Sequence, residues 1–356
     1  MDSKFSEEEK KLLDRSVDFM EKCEKGILLN QLSSSPSENP KVSVIIPVYG
    51  ASATIKKAIR SIQNQKFQDI EIILFDDCSP DNSYKIMEEL KKEDSRIKLF
   101  KNEINRGVLF TRLTASLEAK GKYITYLDND DMFSRDDIFN TIYEEIEKNN
   151  YDIVEFNGYS THDYHLINKD NSIKSTSPFK KEIEIKQPEL SKIFLKKISD
   201  DEVELGDMFL WGKFFKTDLV KKSINIFGKK RYEEKVLFHD DDCINCVILH
   251  NAQTFKFVNI YGIFYYTNQE SITHCKRPFQ ICHDIFFFFH FLDEFLPEEE
   301  KEKIAIRLVN EWNFRVAEGL NKENISFGKQ IIEKLLNYKS IKDEIKRKIQ
   351  EKCKLE

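Results

Sequence analysis

Asp128, Asp130 and Asp131, with Asn129 among them, crowd three carboxylates into four consecutive positions. Two carboxylates about 4 to 5 Å apart repel by roughly 3 to 4 kcal/mol at an effective dielectric near 20, so such a group calls for a cation. Mg²⁺ and Mn²⁺ take oxygen ligands, and Mg²⁺ is usually held by one or two carboxylates together with the phosphates of a substrate. The implied ligand is a diphosphate. The same four residues also suit a turn followed by a helix N-cap, and taken alone they leave both readings open.

The elements around the acids decide what they can reach. Tyr123 to Leu127 has the β-branched and aromatic make-up of a strand covered on both faces, and it delivers the acids to the loop at its end. Val42 to Ile46 is a similar strand stopped by Pro47, followed by Ile55, Ala58, Ile59 and Ile62 at helical spacing. Ile70 to Phe75 is a second strand, closed by a turn running from Asp76 and Asp77 to Ser83, and Ile86, Met87 and Leu90 mark the helix after it. Ile97 to Phe100 is a third strand; Asn105, Arg106 and Gly107 open a helix to about Ala119, which Gly121 closes. This β-α-β-α-β-α-β alternation predicts an α/β fold, a mostly parallel sheet with helices on both faces and right-handed crossovers.

In the strand order 3-2-1-4, ligands bind beyond the carboxyl ends of strands one and four, where the chain switches direction. Those ends are Pro47 to Tyr49 and Asp128 to Asp131, with Asp76 and Asp77 next door. A Tyr at such an edge can stack on a flat base, an Asp can accept from a base N–H or ribose hydroxyls, and the acids on the far side can hold a metal on a diphosphate. Neither a GxGxxG fingerprint nor a P-loop follows the first strand. A nucleotide without a glycine cradle points to a metal-held diphosphate.

At 356 residues the chain can bury a large core. With 56 Lys and Arg against 62 Asp and Glu, net −6, a nucleic-acid partner is not expected, although Lys229, Lys230 and Arg231 form a local cluster able to meet phosphate or anionic lipid. The most apolar run, Ile285 to Phe289, is far short of the ~20 residues that span a bilayer, and the first thirty residues are charged throughout; neither a signal peptide nor a transmembrane helix is expected. Seven cysteines without a framework suggest free thiols in a reducing cytoplasm. Cys243 and Cys246, with His239, His250, His274, Cys275, Cys282 and His283, assemble into a zinc site on paper, but their helical context favours buried small apolar residues.

The segments Lys41 to Tyr49, Phe75 to Ser83, Asn105 to Arg112 and Gly121 to Asp131 together resemble, in motif, order and spacing, the GT-A glycosyltransferases of family 2. The resemblance covers roughly residues 41 to 155. It implies a Rossmann-like GT-A fold and an inverting transferase of hexosyl or N-acetylhexosaminyl type, using a nucleotide diphosphate sugar, most often a UDP-sugar, with Mn²⁺ or Mg²⁺. It further implies that Pro47 and Tyr49 line the base, Asp77 with Asp76 binds the uracil, Arg112 lies near the nucleotide, Asp128 and Asn129 meet the donor, and Asp130 with Asp128 ligates the metal. Where many relatives read Ala-Arg-Asn-x-Gly, this chain has Thr111, Arg112, Leu113, Thr114 and Ala115, so only the arginine is shared.

In the second half, Asp240, Asp241 and Asp242 lead into Ile244, Val247, Ile248 and Leu249 at helical spacing, where acid ordinarily caps a helix. The resemblance supplies another role: relatives have Glu-Asp here and the Asp is the general base, which aligns with Asp240 and Asp241 when counted back from Ala252. Asp241 is the choice, with Asp240 and Asp242 as neighbours able to hold the role. Inversion is a single displacement, so a base must take the acceptor's proton on the face opposite the departing diphosphate. Trp211 and Lys213 are acceptor-side candidates, with a place in the core as the alternative for Trp211, and Thr161 to Lys186 reads as a polar loop over that side. Tyr265 to Thr273 resembles a segment that follows the base in relatives.

The expected organisation is a helical extension and linker at 1–40, a nucleotide-sugar half at 41–158, an acceptor half at 159–280 and a helical region at 281–356. The expected acceptor is a bacterial surface glycan or lipid-linked glycan, met in the cytoplasm or at the inner face of the membrane, with peripheral membrane association left open. The competing readings are a silent sugar-binding scaffold and a sugar nucleotidyltransferase; the latter calls for a basic, Gly-rich loop after strand one, and Pro47 to Ser52 lacks the basic part.

Overall fold

The computed structural model describes residues 7–29, 37–163, 174–190, 195–199, 202–206, 209–232, 235–237, 239–267 and 343–353, with single residues and pairs between them. A helix, α1 (Glu7–Glu24), precedes β1 (Val42–Val48), α2 (Ile55–Gln63), β2 (Ile70–Asp76), α3 (Ser83–Glu93), β3 (Ile97–Lys101), α4 (Val108–Glu118) and β4 (Tyr123–Tyr126). β1, β2 and β4 are buried at every position, which only a sheet covered on both faces allows. These strands lie in the order β3-β2-β1-β4 and pair in parallel, as the alternation predicts.

Three local details differ from the sequence reading. Pro47 does not stop β1, which runs through it to Val48, with Pro47 opposite Phe75 and Val48 opposite Asp76 of β2. Asn105 and Arg106 lie ahead of α4, and Gly107 precedes the helix at φ 90°, a conformation that an L side chain resists. Gly121 does not close α4, which ends at Glu118; it brings the start of β4 against β1. A Cβ at Gly121 would stand 2.5 Å from the Ser43 nitrogen, so the seam between these strands closes only around glycine.

Beyond β4 the sheet becomes mixed. β5 (Met132–Phe133), α5 (Ile138–Asn149), β6 (Ile153–Thr161), β7 (Lys174–Ser175), β8 (Ile183–Lys186), β11 (Lys213–Lys216), α6 (Thr217–Tyr232) and β12 (Thr254–Tyr266) extend it as β4-β11-β6-β12-β5, with β7 on β6 and β8 on β12. The polar stretch read as a loop from Thr161 therefore supplies two strands, β7 and β8, both of which follow residues 164–173, a segment outside the described residues. Phe133, Phe139, Phe156 and Phe214 fill the core here with edge-on ring pairs.

The chain divides into two compact units, the first formed by residues 1–190, 209–235 and 251–269, the second by 191–208, 236–250 and 270–356. α1 belongs to the first, where Leu13, Phe19, Met20 and Cys23 pack with Met132, Tyr159 and Phe264. The second holds the antiparallel pair β9 (Leu195–Ser199) and β10 (Glu202–Leu205), nearly all of α7 (Asp240–Asn251), and α8 (Asp343–Cys353). The expected helices after Phe279, other than α8, and the Tyr265 to Thr273 segment past Thr267 fall largely outside the described residues. No described helix is long and apolar enough to cross a membrane.

Candidate active site

β1 and β4 pair only from Val42 opposite Tyr123 to Ile45 opposite Tyr126. The Leu127 N–H still reaches the Ile45 carbonyl at 3.0 Å, and two residues on, the same side of β1 presents Pro47, which has no N–H to offer. Its carbonyl instead accepts from the Asn129 side chain at 3.1 Å. The ladder thus ends where strand order reverses, the place at which open α/β sheets take ligands.

Tyr49 stands past the end of β1 with 46% of its surface exposed, so a ring face is available for stacking. The loop that carries it is held by the turn after β2. The backbone N–H groups of Gly50, Ala51 and Ser52 donate to Ser79 Oγ at 3.1 Å, Ser83 Oγ at 2.8 Å and Asp81 Oδ2 at 2.9 Å. The sequence marks these residues as turn formers; that they are acceptors for a neighbouring loop is a tertiary fact.

Asp76 and Asp77 are both buried. Asp76 accepts the Ser79 N–H at 3.2 Å through Oδ2, while its Oδ1 has no partner among the described residues. Asp77 accepts at Oδ1 from the Arg106 N–H (2.7 Å) and the Asn102 side chain (2.8 Å), and at Oδ2 from the Gly107 N–H (2.8 Å). Burial lifts its carboxyl above the usual range, against the pull of those donors. The acid assigned to the uracil is thus also the anchor of the loop into α4, with one acceptor position of Oδ2 left by this count. Asp77→Ala is expected to destabilise the fold by about 3 kcal/mol, because three inward-facing donors lose their partner; urea unfolding checks this, and an unchanged midpoint would mean that the carboxylate does not hold the loop.

Arg112, buried on α4, pairs with Asp128. Burial, then the charge of Asp128, push Asp130 from the ordinary 3.8 up to about 6, with Lys57 and Arg112 opposing. Asp131 has no exposed surface; its burial and the charges of Asp130 and Asp128 raise its carboxyl well above the usual range. Its Oδ1 accepts the Tyr266 N–H at 2.9 Å and its Oδ2 has no partner among the described residues. Among those residues no three or more His, Cys, Asp or Glu side chains form a metal-holding group. The fit is instead of the kind in which one or two carboxylates share a cation with ligand phosphates, Asp130 and Asp128 being the residues for it.

The raised acid has a pH signature. A carboxyl whose folded pKa exceeds its unfolded value holds its proton more tightly when folded, so stability falls as pH rises from about 4 to about 6. Thermal unfolding in EDTA is expected to show this fall, and saturating Mn²⁺ to flatten it; a curve unmoved by Mn²⁺ would count against a cation at Asp130.

The acceptor-side candidates are corrected. Trp211 is 4% exposed and lies between Phe209 (4.5 Å between ring centres) and Tyr265 (5.2 Å), so its faces are spent on the core. Lys213 is 1% exposed; its Nζ donates to the Phe209 carbonyl at 2.5 Å and lies 3.6 Å from Glu155 Oε2.

In the second unit, Asp240 and Asp242 are buried and Asp241, between them, is half-buried. Asp242 Oδ2 pairs with His239 Nδ1 at 2.6 Å. His239 takes φ 61°, accepts the Cys243 N–H at 3.0 Å on its carbonyl, and stacks on Phe288 at 5.1 Å and 8°. The sequence reading considered His239 only as a metal ligand; its spacing of three from Asp242 was the signal of a pair clasping the start of a helix. Cys243 and Cys246 are buried in α7, and burial, then Asp242, raise the Cys243 thiol far out of the reactive range.

Residues 43–195 match the family described as Glycosyl transferase family 2. The chain carries a family 2 glycosyltransferase domain. The matched part of this domain includes Pro47, Tyr49, Asp76, Asp77, Arg112 and Asp128 to Asp131, and excludes Asp240 to Asp242. The chain is 42% identical over 93 residues to a GalNAc(5)-diNAcBac-PP-undecaprenol beta-1,3-glucosyltransferase of Campylobacter jejuni, a match covering 26% of this chain and 30% of that protein's own length. The uncharacterized glycosyltransferase EpsJ of Bacillus subtilis is 27% identical over 273 residues, 75% of this chain and 69% of its own. Among solved structures, residues 1–349 of S. aureus TarS in complex with UDP-GlcNAc superpose with a TM-score of 0.63 at 17% identity, covering 86% of this chain and 82% of that one. The GT-A fold of the family 2 domain is thus shared with TarS.

Proposed function

We propose that this chain transfers a sugar from a UDP-sugar to a hydroxyl of a glycan acceptor, with inversion and with Mn²⁺ or Mg²⁺ on the donor's diphosphate. What supports the reading is the strand order β3-β2-β1-β4, which sets the ends of β2, β1 and β4 side by side, so that Asp77, the exposed Tyr49 and the raised acid Asp130 each follow one of three neighbouring strand ends. The Campylobacter relative's name specifies a lipid-linked sugar, and TarS was captured with UDP-GlcNAc. They support a UDP-sugar donor and an undecaprenol-type lipid-linked acceptor; the acceptor would be met at the inner face of a membrane.

In this reading Tyr49 stacks on the uracil, and Asp77 Oδ2 accepts from the base. Asp128, fixed by Arg112, receives the ribose hydroxyls, and Asp130 with Asp128 holds the cation. A bound divalent cation neutralises the charge that grows on the leaving diphosphate. Asp241 takes the proton from the acceptor hydroxyl as its oxygen attacks the anomeric carbon and the bond to the diphosphate breaks. Of the three acids at the start of α7 it is the one with exposed surface to meet a substrate, since Asp242 is committed to His239.

The test is isothermal titration of UDP and several UDP-sugars in Mn²⁺ and in EDTA. Metal-dependent UDP binding is the expected result. Silence toward UDP-, CDP- and GDP-sugars alike would end the transferase reading.

A further inference from the structure

Lys57 lies in the first turn of α2, half-buried, at the sheet edge where β1 ends. Its Nζ sits 4.7 Å from the centre of the Tyr266 ring, and the Tyr266 N–H is the group that donates to Asp131. The ammonium is close enough to Asp130 and Asp131 to favour their charged forms. Among the described residues no carboxylate forms an ion pair with Lys57; other lysines, such as Lys101 over the Tyr84 ring, share that state, and what sets Lys57 apart is its place beside Asp130 and Asp131. A cation held over a ring face, with its three N–H donors not spent on an acid, is arranged for an anion brought by a ligand.

The other cations near the crevice are differently engaged. Arg112 is paired with Asp128, and Lys235 acts on Asp77, at the base end of the site. The diphosphate of a UDP-sugar carries two negative charges, and together with the carboxylates of Asp130 and Asp128 on the same divalent ion it leaves the acid end of the crevice anionic, where a further positive group is favoured.

We propose that Lys57 is the protein's own anchor for the donor diphosphate, binding its phosphate oxygens beside the Asp130 cation site. The proposal rests on the UDP-sugar reading and deepens it. The cation–π contact with Tyr266 is the resting place of the ammonium, and the Asp131 bond to Tyr266 keeps that ring in position.

The experiment is titration of Lys57→Met and Lys57→Arg with three probes: UDP in EDTA, uridine in EDTA, and Mn²⁺ alone. Lys57→Met is expected to weaken UDP roughly fivefold or more, leave uridine unchanged, and tighten Mn²⁺ several-fold, because removing one positive charge acts oppositely on an anion and a cation. Lys57→Arg is expected to restore UDP affinity. Equal weakening of UDP and uridine would show a merely structural role, and unchanged UDP affinity would also overturn the proposal. A wild-type protein that binds neither UDP nor any UDP-sugar would instead remove the donor reading itself, so the two failures are distinct.

Discussion

Asp130→Asn is expected to remove the Mn²⁺-dependent part of UDP binding and to lower sugar transfer by roughly a thousandfold, the scale of losing a main electrostatic stabiliser of a leaving group. The side chain keeps its shape, so the loss is one of charge. Because burial and Asp128 already make the Asp130 carboxylate costly, the variant should be at least as stable as the wild type at pH 8 in EDTA. Function and stability would then move in opposite directions, a combination that a misfolded variant does not give. Calorimetric titration with UDP and Mn²⁺, together with a melting curve in EDTA, tests both halves. A variant that retains metal-dependent UDP binding would exclude Asp130 as the cation ligand.

The second large effect is expected at Asp241. Asp241→Asn should lower kcat by about 10²- to 10⁴-fold, the range of a positioned general base, while the UDP Kd and the donor KM stay at wild-type values. Asp242→Asn should behave differently, since that carboxylate holds His239 at the start of α7 and its Oδ1 is already buried without a partner among the described residues; its main effect should be on stability. Steady-state kinetics of Asp240→Asn, Asp241→Asn and Asp242→Asn side by side decide the assignment. If Asp241→Asn keeps its rate and Asp240→Asn does not, the base is Asp240.

The half of the molecule that was legible from sequence is the half built from local patterns. Nearly all-apolar runs such as Val42 to Ile46 and Ile70 to Phe75 marked the strands and their order, because burial on both faces leaves a pattern in the chain itself, although β1 runs on through Pro47 to Val48. The acid run at Asp128 to Asp131 was readable for the same reason: crowded charge is visible without a structure. What was not legible depended on partners far away in sequence. Trp211 is indistinguishable in the chain from a sugar platform, and only its place between Phe209 and Tyr265 assigns it to the core. Lys213 likewise reads as a surface lysine until the Phe209 carbonyl and Glu155 are seen around it. The strands β7 and β8 lie in polar sequence because β8 is a half-exposed strand alternating in burial, which weakens the hydrophobic signal. The Asp77 anchor was half visible: the acid was found, but its loop-holding donors come from residues twenty-five to thirty positions away.

The clasp between the Tyr49 loop and the turn after β2 also bears on engineering. Gly50, Ala51 and Ser52 give their N–H groups to Ser79, Ser83 and Asp81, so neither segment is complete without the other. The donors are main-chain N–H groups and the acceptors are side chains, so a graft of residues 49–54 from a transferase with a different nucleotide preference must keep the backbone path that aims those donors, and a graft of the turn alone would strip the donors of their acceptors. Swapping which nucleobase this scaffold accepts therefore calls for exchanging both segments as one cassette.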